Sequence, residues 1–322
     1  MVKSQKPNIV VTRAVPNSVA DLLSENFTVK FNQIDKPFSE TELKEAFQNF
    51  DGVLCTVSDK ITKDILNSEG KRASIISNYG VGVSNIDIEC SKTIGLIVTN
   101  TPHVLTGSTA ELALFLIIAT SRRTSYLEAK LRKRLWNGFS IIEDLGSSLN
   151  GKTLGIIGMG RIGQATAKKA MTSLGMKVTF FNRSTISELD FDATQVNTLD
   201  SLLKNADVVS IHAPGGALEP ILTEKHIQMM KRTAFLINTA RGDVVDQTAL
   251  VKALKTGSIA GAGLDVYLDE PNVPDSLLSL NNVTLLPHIG SATNETREAM
   301  GILAVKNLIA HFSDQNYPSR VV

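Results

Sequence analysis

Two textures of apolar and polar residues alternate along this chain. Short runs dense in Val, Ile, Leu and Phe are separated by longer stretches in which apolar residues recur at helical spacing. The first texture reads as buried strand and the second as helix. Strand-like runs lie at Asn8–Thr12, Phe27–Phe31, Gly52–Thr56, Ala73–Ser77 and Gly95–Asn100. A second series follows at Thr153–Gly158, Lys177–Phe181, Asp207–His212, Thr233–Asn238, Gly261–Val266 and Val283–His288. Strands separated by helices predict parallel sheets covered on both faces, and two such series predict two α/β domains. No sequence repeat relates the series, and no low-complexity linker joins them.

Between the series, Thr99–Glu111 is interrupted by Pro102, and its Thr-Gly-Ser-Thr-Ala-Glu resembles a helix start that Ser108 or Thr109 caps. That stretch marks the expected domain boundary. Ala110–Leu135 then reads as one long helix or two. The most apolar run, Leu112–Ala119, is too short to span a bilayer and is closely followed by Arg122 and Arg123, so it reads as a core helix. The basic run Lys130–Trp136 reads as a solvated helix face.

Composition narrows the picture. The chain has 322 residues, enough for two domains with a sizeable core, and a formal net charge of +1. That near-balance leaves no nucleic-acid footprint. Cys55 and Cys90 form no metal-ligand spacing, and so few cysteines point to a reduced, cytoplasmic setting. The stretch Met1–Val11 lacks the long apolar region of a signal peptide. A soluble protein without metal, membrane or nucleic-acid partner is expected.

The second series opens on Gly158-Met-Gly160-Arg161-Ile162-Gly163, between a strand and a helix. The glycines permit a tight turn, close backbone approach to a pyrophosphate and close helix–strand packing, while the helix N-terminus adds N–H groups and partial positive charge. Roughly 20 residues further on, such sites place an acid on the adenosine ribose. Here Asn182, Arg183 and Ser184 occupy that place. An Asp there would repel the 2′-phosphate of NADPH by about 4 kcal/mol at ~4 Å and an effective dielectric near 20. Asn182 removes the repulsion, Arg183 offers a guanidinium fork and Ser184 a hydroxyl. Charge-assisted hydrogen bonds of ~1.5–3 kcal/mol would favour NADPH over NADH by roughly 10- to 150-fold.

Ligands of open α/β sheets lie at the carboxyl ends of the strands. Three such ends carry chemistry. Arg241 follows one strand, Asp265 ends another with Glu270 shortly beyond, and His288 follows a third. Reduction of a 2-oxo acid needs a cation for the carboxylate, an acid for the carbonyl oxygen and a hydride at C2. Arg241 suits the first by bidentate geometry. His288 suits the second, because an ordinary imidazole exchanges protons near neutrality. Glu270 would orient that imidazole and stabilise its protonated form. Taken alone, Arg241 and Glu270 read equally well as a domain-bridging ion pair. His212 also ends a strand and reads as cofactor-side or structural. His103, His226 and His311 lack such a context.

These residues resemble the D-2-hydroxyacid dehydrogenase family, and within it the NADPH-using glyoxylate/hydroxypyruvate reductase branch. The resemblance rests on Asn78–Ile88, Thr101–Ala113, Gly155–Gly163, Ser210–Pro214, Ile237–Gly242, Gly263–Pro271 and Leu285–Thr293, in the family's order. It implies an α/β fold of two Rossmann- or flavodoxin-like domains. Residues 1–100 with 290–322 would form a discontinuous, flavodoxin-like substrate domain, and 101–289 an inserted dinucleotide-binding domain, with catalysis in the cleft. It also implies that Arg241, Glu270 and His288 are catalytic, and that the amides of Val81 and Gly82 hold the substrate carboxylate. Thr109, Asp265 and Gly290 would lie near the nicotinamide, with Pro214, and with His212 and Ala240, also on the cofactor side. A homodimer through the nucleotide domain is implied, with Ala110–Trp136 supplying part of it.

Ser84 stands where many members have Asp, and the loop Pro214–Pro220 departs from the usual Leu-Thr-Pro-rich pattern. Three alternatives remain. One is a relative acting on 3-phosphoglycerate or a longer 2-oxo acid. One is a formate enzyme, against which Glu270 argues because those enzymes resemble this pattern with Gln there. One is a nucleotide-sensing corepressor of the same fold.

Overall fold

The computed structural model describes residues 6–322, so the first five residues of the stretch read for a leader lie outside it. The chain divides into two units, Met1–Leu105 with Ser291–Val322, and Thr106–Gly290.

In the first unit, β1 (Asn8–Val11), β2 (Thr28–Phe31), β3 (Gly52–Thr56), β4 (Ile75–Tyr79) and β5 (Ile97–Thr99) form a parallel sheet of order β2-β1-β3-β4-β5. This is the flavodoxin-type order. The central strands are Val-, Ile- and Leu-rich because both faces are covered. Side-chain alternation along β4 shows it. Ile76 packs with Leu43 and Phe47 of the helix Glu40–Asn49, whereas the Ser77 hydroxyl donates to Ala304 O of the helix Asn294–Phe312 (2.9 Å). The first of these helices begins in a capping box between Ser39 and Glu42.

The second unit holds β6 (Thr153–Ile157), β7 (Lys177–Phe181), β8 (Thr194–Gln195), β9 (Val208–Ile211), β10 (Phe235–Asn238), β11 (Gly261–Leu264) and β12 (Val283–Leu285). Their order, β12-β11-β10-β9-β6-β7-β8, is parallel throughout. Counting from β6, it is the dinucleotide-binding order with one strand added at the far edge. The order reverses between β6 and β9, which marks the switch point at which such sheets take their ligands. Polar, two-residue β8 has no apolar run and is invisible to the hydrophobic pattern. Several other strands are a residue or two shorter than their apolar runs, since the runs continue into the loops that bury them.

The segment after Leu105 is two helices. Thr106–Ser121 is apolar on every side, as a helix enclosed on several sides must be, and packs on the helix Arg161–Leu174 and on β10 to β12. It ends where Arg123 adopts φ +55°, and Thr124–Arg132 follows. Because the first helix starts at Thr106, Ser108 and Thr109 lie inside its first turn and neither is the cap. Thr109 instead donates its hydroxyl to Gly290 O at 3.1 Å. In the basic run, Lys130 pairs with Asp144 (2.6 Å) and Arg132 with Glu128. Among the described residues no helix is long and apolar enough to cross a membrane, and no group of His, Cys, Asp and Glu could hold a metal.

Candidate active site

The glycine loop leaves β6 at Gly158, whose φ is +91°. A Cβ there would meet Ala213 N at 2.8 Å, and one at Gly163 would meet Gly158 O at 2.3 Å. Both positions therefore require glycine. Gly160 caps the helix Arg161–Leu174, and a Cβ on it would meet nothing within 4 Å. Open space thus lies beside the first turn, where Arg161 is exposed and Ile162 half-buried. A pyrophosphate fits this cradle, since the first N–H groups of a helix have no intrahelical acceptor.

At the end of β7 stands the half-buried Asn182. Its amide donates to Ser184 O (3.1 Å) and Ser184 Oγ (3.0 Å), closing its own turn. Gln195 on β8 braces the same turn, donating to Ser184 O (3.1 Å) and accepting from Ile186 N (3.1 Å). Arg183 is left exposed, with no protein partner among the described residues. The turn thus ties the Asn182 amide to Ser184, while the Arg183 guanidinium meets no partner among the described residues.

His212 follows β9 and lies within 2.9 Å of Ser210 Oγ. Burial pushes its pKa down to about 4, so the ring is neutral at neutral pH. Pro214 is exposed on the next loop, whose Gly216 N–H donates to Asp243 Oδ2 at 2.5 Å.

The catalytic candidates stand on consecutive strand ends. Beyond β10, Asn238 accepts from Ala240 N (3.0 Å) and donates to Arg241 O (2.8 Å), an Asx turn that sets the backbone before Arg241. The half-buried guanidinium donates through Nη1 to Ala240 O at 2.7 Å. Burial lowers its pKa, opposed by the charges of Glu270 and Asp243, yet a guanidinium keeps its proton at any working pH. Beyond β11, Asp265 is 1% exposed. Its carboxylate accepts from Ile289 N and Gly290 N, each at 2.8 Å, while its carbonyl accepts from His288 N at 2.9 Å. Burial raises the Asp265 pKa against those hydrogen bonds and the neighbouring His288. His288 is thereby held at φ +54°, a backbone region that few side chains adopt.

Glu270 Oε2 lies 2.6 Å from His288 Nδ1, and Glu270 Oε1 accepts from Tyr267 N at 2.9 Å. Burial works to raise the Glu270 pKa, but the His288 hydrogen bond and charge, the Tyr267 N–H and Arg241 hold it below the usual carboxylate range. An ionised Glu270 accepts only, so Nδ1 carries the proton towards it and Nε2 is left for a reacting group. No ion pair joins Arg241 to Glu270 among the described residues, and both belong to the second unit, which removes the domain-bridging reading. Tyr267, which the sequence reading passed over, braces the pair from below. Its hydroxyl donates to Leu286 O at 2.9 Å, and burial lifts its pKa to about 12. Asn238 was missed as well, although Asn at a strand end is a turn signal. Val81 and Gly82 follow β4 in the first unit and are half-buried.

Comparison with known proteins bears on this arrangement. Residues 114–290 match the family model described as "D-isomer specific 2-hydroxyacid dehydrogenase, NAD binding domain". The chain is 41% identical over 323 aligned positions to a glyoxylate reductase of Thermococcus litoralis, covering 98% of this chain and 97% of that one. It is 40% identical to a glyoxylate reductase of Pyrococcus furiosus, covering 95% and 92%. Its fold superposes with TM-score 0.87, at 33% identity and 99% and 97% coverage, on an NADPH-dependent glyoxylate/hydroxypyruvate reductase of Sinorhizobium meliloti bound to NADP and malonate.

The neutral His212 carries a pH signature. Its pKa is lowered from 6.5 to about 4, so between those values the unfolded chain binds more protons than the folded one. The contribution is present above about pH 6.5 and is lost as pH falls towards 4, by up to about 3 kcal/mol. Replacing His212 by Asn is expected to flatten that acid limb in urea unfolding run from pH 7 to pH 4. An unchanged slope would exclude His212 as its source.

Proposed function

The chain belongs to the D-isomer specific 2-hydroxyacid dehydrogenase family, and from that premise we propose that it reduces small 2-oxo acids, glyoxylate and hydroxypyruvate foremost, with NADPH. The observation that carries this reading is His288 Nδ1 held 2.6 Å from Glu270, on the unit that also presents Arg241.

The residues divide the work. The glycine loop with Arg161 and Ile162 takes the pyrophosphate, and Thr109, His212, Pro214, Ala240, Asp265 and Gly290 line the cofactor side. When bound, the nicotinamide supplies the hydride. Arg241 holds the substrate carboxylate, and the first unit's candidate for the same group is the Val81–Gly82 backbone. His288 gives its Nε2 proton to the carbonyl oxygen, which becomes the product hydroxyl. Glu270 keeps the imidazole in the orientation that presents Nε2. Glyoxylate is put first on the strength of the Thermococcus and Pyrococcus relatives.

The preference for NADPH rests on Arg183, which has no protein partner among the described residues, and on the absence of an acid at Asn182. A second copy of the chain is the proposed partner. Phe139, Ile141 and Ile142 are 80–90% exposed, and Phe115 and Trp136 are at least half exposed, all in the segment after Thr106. So much exposed apolar surface is unusual for a monomer. The buried free thiols Cys55 and Cys90 suit a reducing, cytoplasmic setting.

Oxidation of NADPH by glyoxylate and hydroxypyruvate, followed by near-ultraviolet absorbance, is the direct test. His288→Ala is expected to lower kcat by ~10²-fold or more, and unchanged turnover would remove His288 as the acid. For the cofactor, Asn182→Asp combined with Arg183→Ala is expected to raise the NADH/NADPH ratio of kcat/KM by at least about tenfold, whereas a constant ratio would show that Arg183 does not read the phosphate. Phe139→Asp with Ile141→Asp is expected to convert a dimer to monomer in sedimentation; a wild-type monomer would refute the partner.

A further inference from the structure

The turn after β4 is shaped by what holds its carbonyl oxygens. Gly80 O accepts from Thr101 N (3.0 Å) and from Asn78 Nδ2 (3.3 Å). Val81 O accepts from Asn100 Nδ2 at 2.9 Å, and Gly82 O accepts from Asn78 Nδ2 at 3.0 Å. In a trans peptide the C=O and the following N–H point in opposite directions. Holding the Gly80 oxygen inward therefore turns the Val81 N–H outward. The Val81 oxygen does the same for the Gly82 N–H, and the Gly82 oxygen for the Val83 N–H. Among the described residues none of these three N–H groups meets an acceptor. Successive free N–H groups of this kind form a concavity for an anion.

Asn78 serves two of the three carbonyls, and it is 0% exposed. A primary amide that deep is costly unless its atoms are paired. Two carbonyl oxygens can accept only from its nitrogen, which settles how the amide is turned. Its oxygen then accepts from the Cys55 thiol (3.6 Å) and from Asn85 Nδ2 (3.4 Å). Asn85 Nδ2 also reaches Thr56 O (3.1 Å) and Asp59 O (3.2 Å). The Asp59 carboxylate, 1% exposed, accepts in turn from Thr56 N (2.7 Å) and Thr12 Oγ1 (2.6 Å). One polar network thus runs from the ends of β1 and β3 to the turn after β4. Its central member is fixed from both sides.

We infer that Asn78 is the positioning residue of the carboxylate-binding turn. Its amide, locked by Cys55 and Asn85, holds the Gly82 carbonyl to close the turn and the Gly80 carbonyl so that the Val81 N–H is presented to the substrate carboxylate before it arrives, beside the Gly82 N–H that the Asn100 hydrogen bond to Val81 O turns outward. The inference rests on the reading above that this turn takes that carboxylate. Asn78 touches no substrate itself. It acts by preorganising donors that would otherwise turn inward or fluctuate, and the loss on its removal falls on anion binding.

The test compares wild type, Asn78→Ala and Asn85→Ala as full-length proteins. The readouts are glyoxylate KM and kcat, the dissociation constant of oxamate from the NADPH-loaded enzyme, the dissociation constant of NADPH and the melting temperature. Asn78→Ala is expected to raise KM and the oxamate constant together by about tenfold or more, with kcat and NADPH affinity within about threefold of wild type. Asn85→Ala, which removes the lock but leaves the donor, is expected to shift both in the same direction by about threefold and keeps the test open if Asn78→Ala does not fold. A lower melting temperature with unchanged KM and oxamate affinity would make Asn78 a structural residue and overturn the inference. Loss of NADPH affinity in parallel would do the same. Wild type that neither binds oxamate nor reduces glyoxylate would instead overturn the functional reading on which the inference stands.

Discussion

The candidate site of the second unit hangs on one buried carboxylate. Asp265 is 1% exposed and spends both oxygens on the backbone of the next strand's exit, accepting from Ile289 N and Gly290 N. Its carbonyl takes the N–H of His288 as well. Three successive backbone donors are thus tied to a single residue. A buried carboxylate without partners would cost several kcal/mol, and the same low dielectric that sets this cost strengthens each hydrogen bond once made. The arrangement therefore holds the His288 backbone in its left-handed conformation, which a freely solvated loop would leave.

The side-chain chemistry follows from that backbone. With His288 set by Asp265, the imidazole can meet Glu270, and Glu270 is set in turn by the Tyr267 N–H. Tyr267 closes the circuit by donating its hydroxyl to Leu286 O, so the exits of β11 and β12 are joined through Asp265, Glu270 and Tyr267. Arg241 is prepared separately by the Asx turn of Asn238. Each group that would touch a substrate is held by a neighbour that does not, which is how a constellation keeps its geometry.

The same logic recurs in the first unit, with two amides and one carboxylate. Asn78, Asn85 and Asp59 lie around a turn whose N–H groups have no internal acceptor. The buried amides there hold carbonyls and leave N–H groups free, while the Asp59 carboxylate accepts from Thr56 N and Thr12 Oγ1. At the end of β7 the amides of Asn182 and Gln195 spend themselves on Ser184 and free Arg183. In all three places, polar side chains serve the backbone.

Much of this was legible in the sequence, because it depends on local pattern. Apolar runs located eleven of the twelve strands among the described residues, since a parallel strand covered on both faces must be apolar along its length. Glycine spacing marked the loop after β6 because only glycine admits the close approaches of Gly158 and Gly163. Arg241, Glu270 and His288 stood out as chemically apt residues at strand ends. The sequence could not show what each polar side chain bonds to, because residue type does not say whether a partner stands two residues away, as for Asn182 and Ser184, or 24, as for Asp265 and Ile289. Asp265 meets Ile289 and Gly290 only when β11 and β12 pair, and Asn78 meets Asn85 and the 80–82 turn only when the chain after β4 folds back. Ser108 and Thr109 looked like caps until packing extended the helix back to Thr106. Residue type and spacing determined which strands and which chemistry the chain carries; the tertiary structure alone decided which polar groups are spent on the protein's own backbone, because hydrogen bonds are satisfied in space, whatever the separation along the sequence.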